Sequence, residues 1–372
     1  MNNILLIGGG ITSLYLAYKL SENRKYKITI IEKEDRLGGR IYSKYSNVAG
    51  QTLEFGAMRF SKSKHILIYD LCKDLSLSIK NFDYKHGEEI QYIKYVLQSL
   101  DNIPRENKEG KLFRDVVKTF MTEEQINYMC KISGYYSYLS DPQIGYDSVY
   151  EDLTSLICTD WFTITEGVQS LITTLYHIIS ERGVIVLRNV DYEIVKNKIR
   201  RNYDLIFDCR PYNTKYNMPM KKYEAAKVFL KTDSKIENVR KTFENGSIYY
   251  MKDGIVMYYI LDGNVLRKLK YLNMEDKWLN INGNKDNNIK EIIDSIEDDI
   301  RCSVKFMVYK YWKNYITMWD KNPNIPYIKL SDKFYLVNND YSKGQGWIEG
   351  SLDAINCLLS NENLNLSLNS KL

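Results

Sequence analysis

The chain has few of the residues that would mark a metal centre or a disulfide scaffold. It holds three histidines in 372 residues, too few for a histidine metal cluster. Its six cysteines, Cys72, Cys130, Cys158, Cys209, Cys302 and Cys357, are scattered with no CxxC spacing. They read as reduced, buried thiols of an intracellular protein rather than a disulfide framework or a metal site. No apolar run reaches membrane-spanning length, so no membrane partner is expected. The first strand begins at about residue 3, which predicts no signal or transit peptide. An excess of one charge is also missing: the formal net charge is +5, with Lys and Arg interleaved among Asp and Glu, and no nucleic-acid partner is expected.

What is there is length and apolar content. A chain of 372 residues with 44% hydrophobic content can bury a large core and predicts about two domains. Abundant Asn, Lys, Ile and Tyr, including 32 tyrosines, suggest an AT-rich genome such as that of a large DNA virus or a protist. The last residues, Ser370-Lys371-Leu372, form the tripeptide of a peroxisomal address, which means nothing in a prokaryote or a buried tail. Peroxisome, cytoplasm and, for a viral chain, the virion therefore stay open.

The informative stretch is residues 1–40. Ile4-Leu5-Leu6-Ile7 has the continuous apolar character of a buried parallel strand. It runs into Gly8-Gly9-Gly10-Ile11-Thr12-Ser13, and the next residues are apolar at helical spacing. After a polar break, Lys27-Ile28-Thr29-Ile30-Ile31 predicts a second strand that ends on Glu32, and Lys33 beside it is a further expected cofactor contact. This is a βαβ unit with an acid about twenty residues after the glycines. Gly8 permits the tight turn, Gly10 lets backbone N–H groups approach a pyrophosphate, and the helix N-terminus offers it partial positive charge. Glu32 is then placed to accept hydrogen bonds from a ribose. Ser13 stands where the pattern has a third glycine, which should loosen helix-to-strand packing slightly.

The next residues are Glu34-Asp35-Arg36-Leu37-Gly38-Gly39-Arg40-Ile41-Tyr42-Ser43. The run resembles the R-x-G-G-R-x-x-S/T motif of the FAD-dependent amine oxidases, which implies FAD and sets Arg40 against the pyrophosphate. Further blocks resemble the L-amino acid oxidase branch of that family. Gly56-Ala57-Met58-Arg59 is similar to its G-P/A-M-R run, in which the arginine grips the substrate carboxylate. A guanidinium suits that task because its fork makes two charge-assisted bonds to a planar carboxylate. A structural ion pair or a flavin phosphate contact are the other readings of Arg59. Lys227, in Ala225-Ala226-Lys227-Val228-Phe229-Leu230, resembles the strand lysine that holds a water against the flavin; a lysine snorkelling from an edge strand would look the same.

Residues 161–171 resemble the family's G-G-M-x-x-L segment, with Glu166 in place of the first glycine, and Val190 matches the valine whose backbone meets the adenine. Near the C-terminus, Gly346-Trp347-Ile348-Glu349-Gly350 resembles the G-W-x-E-G helix start that contacts the flavin, with Trp347 over the substrate. The expected Gly-Glu pair before it aligns with Asn338-Asn339, so a carboxylate contact there is missing or supplied by Asp340. Period-two alternation lets one of Tyr249 and Tyr250 face substrate. Residues 90–96 are strand-like, residues 112–120 read as a helix, and Thr122 as the cap of another. Tyr135-Tyr136-Ser137-Tyr138 reads as core more readily than as a pocket wall.

The resemblance spans residues 3–65, 160–260 and 305–357. It implies an α/β fold, with a Rossmann-like FAD-binding domain of the amine oxidase type and a mixed sheet-plus-helix substrate domain. The expected FAD domain is discontinuous (1–60, 156–224 and 305–372), and 61–155 with 225–304 form the substrate-binding and helical domain. The implied activity is oxidation of the Cα–N bond of an L-amino acid or amine to an imine, with dioxygen reoxidising the flavin to give peroxide. Arg59, Lys227 and Trp347 are the expected catalytic residues, and the expected partners are the small-molecule substrate and dioxygen, with a homodimer left open. A polyamine oxidase or other flavoenzyme of the same fold, and a non-catalytic FAD-binding structural or virion protein, are the alternatives.

Overall fold

The computed structural model describes residues 2–364 except 23–24, 86, 88, 213–215, 321–324, 343 and 363. The tripeptide Ser370-Lys371-Leu372 lies outside the described residues. Among those described, no helix is long and apolar enough to cross a membrane, and no group of three or more His, Cys, Asp or Glu could hold a metal ion.

The strand Asn2–Ile7 is the centre of a six-stranded sheet. Tyr26–Ile31 pairs parallel to it on one side and Leu205–Asp208 parallel on the other. Outside these lie Ile185–Leu187, and then Phe334–Leu336 followed by the antiparallel edge strand Ile328–Ser331. Ile4, Leu5, Leu6 and Ile7 are all at most 1% exposed, because both faces are covered. Ile4 and Leu6 pack under the helices Ile11–Ser21, Gln169–Glu181 and Ile348–Asn361, while Leu5 and Ile7 pack against Tyr192, Tyr212 and Trp319 on the other face. This two-sided burial explains why the strand reads as an unbroken apolar run. Ser13 is completely buried within the helix Ile11–Ser21, and its hydroxyl has no hydrogen-bond partner.

A second, antiparallel sheet is ordered Val239–Phe243, Gly246–Tyr250, Ile255–Ile260, Met220–Thr232, Val304–Trp319, Leu279–Asn280. One of its faces is closed by the amphipathic helices Gly263–Tyr271 and Asn287–Ile300. Five helices between residues 89 and 156 cap the other side, and Ala225, Tyr259, Ile316 and Met318 of the sheet enter their core. Short sheets link the two parts: Phe60–Ser61 and Ile79–Asn81 flank Trp161–Ile164, and Ser43–Ser46 pairs with Gln51–Glu54.

Three sequence expectations change here. Residues 90–96 are not a strand but part of the helix Glu89–Asp101. Its buried residues Ile93, Val96, Leu97 and Leu100 repeat at three and four, a helical period hidden over a short window by the β-branched and aromatic residues Ile90, Tyr92, Ile93, Tyr95 and Val96. The strand Val304–Trp319 does not join the nucleotide-binding sheet, as a boundary at 305 requires. It pairs with Met220–Thr232 from Thr232↔Val304 to Met220↔Trp319, so the chain returns to the first sheet only after residue 319. The helix expected at 112–120 is confined to Phe113–Val117, whereas Thr122 caps Glu123–Ser133 through a capping box with Gln125.

Candidate active site

The cofactor half of the site sits at the carboxyl ends of the parallel strands, where the strand order reverses around Asn2–Ile7. Gly8 has φ +97°, a conformation open to glycine. Gly10 starts the helix Ile11–Ser21 with no side-chain cap, so the helix N-terminus is free to present its partial positive charge. An added methyl on Gly10 would meet nothing within 4 Å, and one on Gly39 only the Cα of Gly10 at 3.5 Å. The two glycine turns touch, with the Gly38 N–H donating to the Gly9 carbonyl at 2.9 Å, and the side-chain direction of Gly10 is left open.

Glu32 is 9% exposed. Its Oε2 accepts from the Gly9 N–H at 2.6 Å and its Oε1 from the Glu34 N–H at 2.9 Å. Each oxygen keeps a lone pair for a ribose hydroxyl. A cradle without side chains, an uncapped helix start and an oriented carboxylate together fit a dinucleotide pyrophosphate and ribose.

Other expected cofactor residues are placed as follows. Lys33 is solvated and pairs with Glu34 at 3.4 Å. The Val190 N–H donates to the Glu32 carbonyl at 2.9 Å, which leaves the Val190 carbonyl as the group able to meet an adenine. Arg40 donates to the Tyr315 carbonyl at 3.1 Å, to Asn339 Oδ1, and to Asp340 Oδ1 at 2.9 Å. Asp340 is fully buried, and its Oδ2 accepts from the Tyr212 N–H at 2.7 Å. Asp340 is the carboxylate beside Asn338-Asn339, and its two oxygens are engaged by Arg40 and the Tyr212 N–H.

The substrate half is a cavity between the second sheet, the helical cap and the start of the helix Ile348–Asn361. Gly56, Ala57, Met58, Arg59, Lys227, Gly346, Trp347 and Ile348 all line it, so residues from three distant parts of the chain meet there. The 56–59 segment lies against Arg40: the Ala57 N–H donates to the Arg40 carbonyl at 3.2 Å, and a methyl on Gly56 would stand 1.9 Å from that oxygen. Lys227 is 2% exposed and donates to the carbonyls of Gly56 at 2.5 Å and Glu54 at 3.2 Å. Burial pushes its pKa down, against the pull of the Glu54 carboxylate. Burial pushes Glu54 up in turn, even though it accepts from Ser43 Oγ and the Val168 N–H. Lys227 is therefore no snorkelling edge residue, since it bolts down the loop that carries Arg59.

Arg59 is 5% exposed. Its guanidinium lies 4.3 Å from the Trp161 ring centroid, 5.5 Å from that of Tyr249 and 5.8 Å from that of Phe82. Among the described residues no carboxylate pairs with it. The ion-pair reading of Arg59 is thereby removed, and a buried cation is left facing the cavity. Tyr249 is the tyrosine that lines the cavity, while Tyr250 turns away and donates to the Ile300 carbonyl at 3.0 Å. Burial alone would raise the Tyr249 pKa, but Arg240 and Arg59 outweigh it and hold the phenol below its ordinary value.

Trp347 stacks on His65 with centroids 4.5 Å apart and on Trp161 at 5.8 Å. Burial lowers His65 to about 4, so the ring that supports Trp347 is a neutral imidazole, accepting from the Ser61 N–H at 2.8 Å.

The sequence did not reveal Asp152, which also lines the cavity. It stood out only as an acid on the buried stripe of its helix, beside Tyr146, Val149, Leu153 and Leu156. Tyr135 and Tyr138 fill both readings of their cluster, reaching the cavity wall as well as packing in the helical cap. Tyr259 and Tyr315 complete the wall, with ring centroids 5.3 Å apart.

Residues 6–88 match the NAD(P)-binding Rossmann-like domain family. Achacin of Lissachatina fulica is 30% identical over 135 residues, 36% of this chain and 24% of that protein. L-amino-acid oxidase of Mus musculus is 32% identical over 103 residues, 26% of this chain and 16% of that protein. The matched stretches thus span a quarter or less of these relatives. Cyclohexylamine oxidase from Brevibacterium oxydans IH-35A shares the fold with a TM-score of 0.66 and 12% identity, over 97% of this chain and 99% of that one. An oxidoreductase from Methanosarcina mazei does so with a TM-score of 0.63 and 11% identity, over 96% and 100%. The chain thus shares its fold with cyclohexylamine oxidase and is similar over part of its length to L-amino-acid oxidase, and the dinucleotide that its glycine turns are built to hold is FAD.

Proposed function

We propose that the protein oxidises the Cα–N bond of an amino acid, with Arg59 holding the substrate carboxylate. The observation that carries this reading is the buried, carboxylate-free guanidinium of Arg59 at an aromatic cavity that also receives Lys227 and Trp347. Leaving a buried cation unpaired is costly, and a planar carboxylate relieves it with two parallel bonds. Trp347 and Tyr249 both line the cavity and limit the poses a substrate held by Arg59 can take.

FAD, when bound at the glycine turns, supplies the acceptor for the two electrons of this oxidation and passes them to dioxygen, which yields peroxide. The imine product takes up water to give an oxo acid and ammonia. Lys227 presents an amine whose proton burial has loosened, suited to moving a proton at that stage. Lys227→Met is expected to lower kcat on the order of 10²-fold with flavin still bound, as read by steady-state kinetics beside the flavin spectrum; an unchanged kcat removes Lys227 from the chemistry.

The test of the activity is a peroxide assay with FAD-loaded protein over the amino acids and a set of polyamines. Peroxide with amino acids is expected. Peroxide with polyamines alone would make the protein a polyamine oxidase, and a yellow protein inert to both would be a flavin binder without this catalysis.

A further inference from the structure

Opposite in charge to Arg59, a second ionisable group is built into the same cavity. Asp152 is 6% exposed, on the helix Tyr146–Leu156. Its Oδ2 accepts from the Tyr138 hydroxyl at 2.9 Å and its Oδ1 from Trp347 Nε1 at 3.2 Å. These two bonds aim the carboxyl from behind and from one side, and each oxygen keeps a lone pair. Among the described residues no cation forms an ion pair with it, Arg59 included, although both line the cavity. The walls near it are aromatic: Tyr135 stacks on Tyr138 with centroids 5.5 Å apart, and Tyr259 and Tyr315 follow. A buried carboxyl among ring faces, without a cation of its own, is the chemistry that receives an ammonium or guanidinium.

Resting on the amino acid reading above, we propose that the substrate carries a second positive charge in its side chain, which Asp152 and the surrounding tyrosines bind while Arg59 holds the carboxylate. The substrate class is then a basic amino acid, and Asp152 sets its specificity. Neutral residues of similar length would fill the cavity but leave Asp152 without its ion.

The charge state of Asp152 gives the preference a pH dependence. Burial raises its pKa to about 7, while the bonds from Tyr138 and Trp347 lower it; Glu151 adds a small raising effect and Lys64 a small lowering one. Tyr135 and Tyr315 also face Asp152. Below about 7 the empty cavity holds a neutral acid that attracts a cation weakly, so preference for the cation should appear as pH rises through that value.

The test is calorimetric titration of the FAD-loaded protein with ε-aminocaproate and with caproate, which share a carboxylate and chain but differ in the terminal cation. Neither has an amine beside its carboxylate. At about pH 8.5, where the amine is still protonated, ε-aminocaproate is expected to bind tenfold or more tightly than caproate. The ratio should fall toward unity at about pH 5.5 and in Asp152→Asn, which keeps the shape and both hydrogen-bond partners. Taking a ratio cancels titrations common to both ligands, such as those of Lys227 and Glu54. Equal affinities in the wild type, or a ratio untouched by Asp152→Asn, would overturn the assignment. If neither caproate nor ε-aminocaproate binds, the carboxylate grip of Arg59 is what has failed. Cadaverine, with two cations and no carboxylate, then decides the role of Asp152 by the same comparison: binding lost in Asp152→Asn upholds it, and binding retained overturns it.

Discussion

Arg59→Met is expected to lower kcat/KM for amino acid substrates on the order of 10²-fold, the loss of about 3 kcal/mol of charge-assisted bonding to a carboxylate. Amines without a carboxylate should change by less than about threefold, since they make no such bonds. The same substitution should stabilise the ligand-free protein by about 1–2 kcal/mol, because it replaces a buried, carboxylate-free cation with an apolar chain of similar length. Part of that gain is offset by the lost contact with the Trp161 ring, 4.3 Å away. Opposite signs for activity and stability are the mark of a ligand-binding cation. A structural ion pair would lose both together, so thermal unfolding that falls alongside activity would sink the assignment. The milder Arg59→Lys keeps the charge but not the fork, and a rise in KM on the order of tenfold is expected.

Gly10→Val is expected to reduce FAD affinity by 10²-fold or more while leaving the fold intact, a loss of about 3 kcal/mol. Gly10 has φ −79° and ψ 178°, an extended conformation that valine adopts without strain. Its Cβ would meet no protein atom within 4 Å, so the added side chain projects into the open space in front of the helix start, where the pyrophosphate is expected. The cost to the ligand-free protein is confined to the helix start, where valine is a poorer N-cap than glycine, by about 1 kcal/mol. Gly9→Ala is the contrasting control, because its Cβ would lie 2.5 Å from Leu37 Cδ2 and 3.1 Å from Glu32 Cβ. That variant should lose stability through overpacking. Titration of the ligand-free proteins with FAD, followed by thermal unfolding, separates the two. Normal FAD binding by Gly10→Val would show that the cofactor does not approach this turn.

Where the sequence could be read and where it could not follows from the range of the forces involved. Gly8, Gly10, Glu32 and Arg40 act through local backbone geometry within one βαβ unit, so their spacing along the chain is itself the structure. The same holds for Thr122, whose cap closes within three residues, and for Tyr249 and Tyr250, which alternation sends to opposite faces. Residues 90–96 misled because β-branched and aromatic residues crowd a window too short to show the helical repeat. The strand Val304–Trp319 misled because its partner, Met220–Thr232, lies about eighty residues earlier, a pairing that no local pattern encodes.

The sequence by itself determined the dinucleotide-binding unit, the cofactor and the identity of Arg59, Lys227 and Trp347 as residues of interest. Tertiary structure alone decided what those residues do to one another. Lys227 grips the carbonyls of Glu54 and Gly56, Asp340 clasps Arg40, and Asp152 arrives from the helical cap to hold Trp347. The charge balance of the cavity could not be read along the chain. Whether a buried arginine or aspartate is paired depends on which distant segments fold against it, and burial multiplies the energetic consequence of that choice.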